Sequence, residues 1–89
     1  MAISGSPKKM AQDIAEGYQY LTEANLKKYD VQDLRTIINN LQIVMRELRS
    51  EQVPLEDVMA IKEKNMKMSR VNQTITLIQA YAKKRGLHV

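Results

Sequence analysis

The chain has 89 residues, 44% of them hydrophobic, with 14 Lys and Arg against 10 Asp and Glu, a formal net charge of +4 and no cysteine. That length excludes a second domain and a large core, since a chain this short hides only somewhat over ~60% of its unfolded surface. The missing cysteines exclude disulfides and thiolate metal sites, and no apolar run approaches the ~18 residues of a membrane span.

Small size without a covalent staple makes oligomerisation a physical expectation. The modest positive charge permits an acidic partner or nucleic acid without requiring either. The first ten residues lack the apolar core of a signal peptide, so the sequence reads as a soluble cytoplasmic protein with no membrane attachment. Phe and Trp are absent, and the apolar content comes from Ile, Leu, Val, Met and Ala, including six Met suited to irregular helix surfaces.

Residues 1–5 read as a flexible lead. Ser6 and Pro7 form a helix start signal, a hydroxyl acceptor followed by a residue tolerated at the first helical position. Met10, Ile14, Tyr18 and Leu21 then recur at helical spacing and predict a first helix over about 7–21. Gly17 sits inside that run, where it costs up to about 1 kcal/mol relative to Ala or marks a close helix–helix approach. Residues 22–29 read either as a further helical turn or as a packed connector.

Asp30 is an N-cap candidate, with Asp33 in the following turn. Leu34, Ile37, Ile38, Leu41, Val44, Met45 and Leu48 form the wide apolar stripe of a bundle helix over 31–50, broader than the seam of an isolated coiled coil. Arg35, Asn39, Gln42, Arg46 and Arg49 occupy the opposite face, and Ile43 lies off the stripe.

Residues 50–53 are a short connector, which predicts antiparallel neighbours. Pro54 can open a helix that runs without a breaker to Arg85, about 48 Å long. Leu55, Val58, Ile61 and Met68 are expected to pair with the preceding helix. Val71, Ile75, Ile78 and Ala82 have the cleaner 3-4 spacing and overhang it unless the first helix, expected to cover some of the seam, or another subunit lies there, while Met59, Met66, Leu77 and Tyr81 lie on a second flank. Asn65, Asn72 and Gln79 recur every seven residues beside the seam, on a solvated edge or as register-setting polar groups. Lys83, Lys84 and Arg85 suit a helix C-terminus, Gly86 a left-handed stop and Leu87 the accompanying apolar contact. His88 and Val89 read as frayed.

No constellation for chemistry emerges. The one histidine, His88, has nothing to orient it, and the carboxylate pairs Asp30/Asp33 and Glu56/Asp57 read as helix N-terminal charges. Gly5, Gly17 and Gly86 are too far apart for a phosphate loop. The reading carries no catalytic, metal or cofactor residue.

The fold class read from the sequence is all-α: a small helical hairpin or three-helix protein with a long C-terminal helix, assembling as a dimeric helical bundle. The function read from it is a non-catalytic protein–protein interaction or regulatory module. It self-associates as a homodimer through Met68, Val71, Ile75, Ile78, Tyr81 and Ala82, with an unidentified protein partner. The alternative is a small basic dimeric nucleic-acid-binding protein that uses Lys67, Arg70, Lys83, Lys84 and Arg85.

Overall fold

A short α-helix, α1 (Pro7–Glu16), opens the computed structural model, which describes residues 6–89. The lead expected over residues 1–5 lies outside the described residues. The Ser6 hydroxyl accepts from the Lys9 backbone N–H at 3.4 Å. The helix stops five residues earlier than its periodicity predicts. Gly17 takes φ +84°, the Tyr18 N–H donates to the Asp13 carbonyl at 2.9 Å, and the Gly17 N–H to Ile14 at 3.2 Å. That pattern is a left-handed C-terminal cap, which the missing Cβ of glycine permits. Tyr18 and Tyr20 beyond it are exposed, while Leu21 turns back into the core.

Residues 22–29 contain a single helical turn, α2 (Glu23–Leu26), held by a reciprocal cap. The Asn25 N–H donates to Thr22 Oγ1 at 3.3 Å, and the Thr22 N–H donates to Asn25 Oδ1 at 3.2 Å. The cap positions Leu26, which is fully buried, and Tyr29 packs against the same core.

The third helix, α3 (Val31–Ser50), spans the interval that its apolar stripe predicts. Asp30 Oδ1 accepts from the Asp33 N–H at 2.8 Å, and Asp33 Oδ2 accepts from the Asp30 N–H at 3.4 Å. All seven stripe residues from Leu34 to Leu48 are buried, and Ile43, off the stripe, is 39% exposed.

The last helix, α4 (Val58–Arg85), has 28 residues and is about 42 Å long. It starts four residues later than expected. Pro54 sits in a turn closed by the Asp57 N–H donating to its carbonyl at 3.0 Å, and Asp57 caps the helix by accepting from Ala60 at 3.1 Å. Its end is the predicted one: Gly86 at φ +71°, with the Leu87 N–H donating to Ala82 at 2.8 Å. The tail beyond is tied down, because Arg35 Nε donates to the His88 carbonyl at 2.9 Å.

That bond places the start of α3 beside the end of α4. At the other end, Lys64 Nζ donates to the Glu51 carbonyl at 2.6 Å. The two helices are therefore antiparallel, with α3 lying along α4 from Lys64 to its C-terminus. The connector over residues 51–57 is longer than the sequence suggests, and it lets α4 begin beyond the end of α3. Helix α1 packs against both long helices and α2 against α4, which encloses one core of Met10, Ile14, Leu21, Leu26, the α3 stripe, Val71, Ile78 and Tyr81. Among the described residues the elements are all helical, and no helix is long and apolar enough to cross a membrane.

Candidate interaction surfaces

The two halves of α4 are covered differently from the expectation. Val71, Ile78, Tyr81 and Ala82 are buried within the chain, and Met68 and Ile75 are half-buried against the same core. The seam, expected to be shared between the first helix and a second subunit, is covered within the chain by α1, α2 and α3. The first half carries the exposed apolar groups instead: Val58 at 70%, Met59 at 67% and Met66 at 45%, with Leu55 in the preceding turn at 88%. Met59 and Met66 are seven residues apart on one side of the helix, with Lys62 between them, and that side points away from Val71 and Ile78.

The basic residues singled out from the sequence do not form one surface. Lys67 Nζ pairs with Glu16 Oε1 at 3.1 Å. The hydrogen bond to Glu16 raises the Lys67 pKa above its ordinary 10.5, against the opposing effect of burial. Arg70 Nη1 donates to the Ala15 carbonyl at 3.0 Å, and its guanidinium carbon lies 3.1 Å from where a Cβ on Gly17 would sit. Both side chains thus hold the end of α1 against α4. Lys84 Nζ lies 3.8 Å from Glu23 Oε2 on α2, and the Arg85 guanidinium sits 5.3 Å from the centre of the Tyr81 ring. Of the five, Lys83 and Arg85 are exposed with no ion pair or hydrogen bond among the described residues, and Arg85 has the Tyr81 ring beside it.

Two open grooves flank α3. The groove toward α1 holds about 370 Å³ over Ala15, Val44 and Leu48, and carries Glu16, Glu47, Glu51 and Lys67. Lys8 Nζ pairs with Glu47 Oε1 at 2.7 Å. The groove toward α4 holds about 350 Å³ over Met45 and Ile75, with Gln42, Arg46, Arg49 and Asn72 along it and no carboxylate. Sequence reasoning missed this second groove, although the even spacing of the α3 polar face and the seven-residue spacing of Asn65, Asn72 and Gln79 were both visible.

The hydroxyls of Thr36, Ser50 and Thr74 donate to carbonyls of the preceding turn of their own helices, a bond that occupies their proton locally. Among the described residues no group of three His, Cys, Asp or Glu is placed to hold a metal ion. His88 lines a shallow terminal groove with Gln79, Lys83 and Leu87. Two surfaces stand apart from the core, the apolar first half of α4 and the cationic face between α3 and α4. No protein-family model, curated protein or solved structure matches this chain.

Proposed function

We propose that the protein is a non-catalytic interaction or regulatory module that self-associates through the first half of α4. The observation that carries this reading is the set of exposed apolar side chains Leu55, Val58 and Met59, where α4 runs past the end of α3, with Met66 on the same side just beyond Lys64. The fold does not need this cluster, because the buried core is already closed by α1, α2 and α3. An apolar group left on a protruding helix end lowers solubility unless another surface covers it.

A second copy fits by symmetry. Two such helix ends crossing antiparallel about a two-fold axis set Met59 against Met66 of the second copy and Lys62 beside its Glu63. A two-fold contact uses every residue twice, so four apolar side chains per chain supply eight. The patch is small against the ~800 Å² per partner of a standard interface, so the dimer belongs in the micromolar range.

Sedimentation or light scattering across a concentration series tests this reading. The native chain should pass from monomer to dimer, and Met59→Asp with Met66→Asp should remain monomeric with an unchanged melting temperature. A native chain that stays monomeric at hundreds of micromolar would remove the proposal.

A further inference from the structure

We infer that the face shared by α3 and α4 binds the phosphate backbone of duplex nucleic acid. It lies apart from the apolar helix end and stands independently of self-association.

Helix α3 contributes a narrow stripe at positions 35, 39, 42, 46 and 49, each three, four or seven residues from another and so on one side of the helix. Three of the five are arginines. The facing shoulder of α4 carries Asn65, Asn72 and Gln79, with Lys83 four residues further on. The groove between them places Arg46 and Arg49 beside Asn72.

Charge on this molecule is sorted by face. Residues 34–46 of α3 and 64–85 of α4 contain no Asp or Glu. Glu16 and Glu47 are paired with Lys67 and Lys8 in the groove toward α1, and Glu63 lines a cleft on that same side with Glu16 and Arg70. Glu51, Glu56 and Asp57 belong to the connector at one end, and Asp30 and Asp33 to the cap at the other, while Asp13 pairs with Lys9 on α1 and Glu23 on α2 lies by Lys84. Arg46, Arg49 and Lys83 therefore stand with no ion pair among the described residues. Arg35 spends only its Nε on the His88 carbonyl. Four cations without carboxylates on one face are complementary to a polyanion.

The chemistry narrows the polyanion. Arg35 and Arg49 are about 21 Å apart along the helix, a length over which about six phosphates of one duplex strand pass. Guanidinium groups take phosphate oxygens two at a time, and amide side chains between them are ordinary phosphate and sugar partners. A lipid surface would call for apolar groups on the cationic face, where Asn39, Gln42 and Asn72 stand instead. Stacking of single-stranded bases needs exposed rings, and neither helix offers one here, since Tyr81 is buried. The contact is to backbone and carries little sequence preference.

Fluorescence anisotropy with a labelled duplex of about 20 base pairs tests the inference at salt between about 50 and 200 mM. The native chain should bind at low salt, and its affinity should fall with salt at a logarithmic slope of about −3, as expected for three to four phosphate contacts. Arg46→Gln with Arg49→Gln should weaken binding at least about tenfold, reduce the slope by about two and leave the melting temperature unchanged. Lys67→Gln, on the α1 side, should leave affinity within about twofold. Absence of binding at the lowest salt, or native-like binding by the double arginine variant, overturns the inference. Polyglutamate bound as tightly as the duplex assigns the face to an acidic protein and overturns it equally.

Discussion

Helix α4 is continuous from Val58 to Arg85, yet its two halves meet different surroundings. The half beginning at Val71 buries Val71, Ile78, Tyr81 and Ala82 beneath three other helices, whereas the half ending at Met68 buries none of its apolar residues fully. Both halves carry apolar side chains at helical spacing, Val58, Ile61 and Met68 in one and Val71, Ile75 and Ile78 in the other, so apolar patterning does not explain the difference. The explanation is register: α3 reaches only to the level of Lys64, and α1 docks through Lys67 and Arg70. An apolar stripe becomes core only where the chain returns to cover it.

Substitution should separate the halves most sharply at Ile78. Burying a carboxylate there without a partner costs more than about 4 kcal/mol, so Ile78→Asp should abolish the cooperative melt. Met59→Ala, in the exposed half, should shift stability by no more than about 0.5 kcal/mol. Equal losses in denaturant titrations of Ile78→Ala and Met59→Ala would erase the distinction, since the buried truncation should cost about 2–5 kcal/mol.

The junction between the halves offers a smaller effect. Gly17 adopts φ +84°, and a Cβ there would press on the Arg70 guanidinium at 3.1 Å. Gly17→Ala should cost about 1–2 kcal/mol and speed amide exchange in α1 more than in α3. Uniform exchange across both helices would show that α1 does not depend on this contact.

The smallest effect concerns Lys67. Its pKa is raised in the folded state, so the protonated form is favoured by folding. The contribution is fully present below the ordinary, unfolded value of 10.5 and is lost as pH rises through the higher folded value. Both partners are partly exposed, so the effect is small. Thermal melts should show Lys67→Met losing less stability than the native chain on going from neutral pH to strongly alkaline conditions. Parallel pH profiles would show that the Glu16 pair contributes nothing.

Much of the fold was legible because its causes are local. Asp30, the seven stripe residues of α3 and the Gly86–Leu87 stop all act within a few residues, and each is found where the pattern places it. Gly17 was harder to read, because Ile14, Tyr18 and Leu21 keep helical spacing across it and periodicity alone cannot distinguish a tolerated glycine from a left-handed stop. Pro54 opens a turn where a helix start was expected, and the four residues lost there lengthen the connector. The candidate surfaces were legible only in pieces. The contiguous Lys83–Arg85 run drew attention by adjacency, but Lys84 and Arg85 are engaged with Glu23 and Tyr81. The cationic face is assembled from residues 35–49 and 65–83, which the chain separates by a connector.

The amino-acid sequence by itself determined the all-helical character, most of the caps and the arrangement of apolar and polar stripes, because these follow from hydrogen bonding and spacing within one or two turns. Tertiary structure decided which half of α4 is covered and which cations are left without carboxylates. Both depend on how far α3 runs back along α4 and on where α1 docks, and neither distance is encoded in any single stretch of the chain.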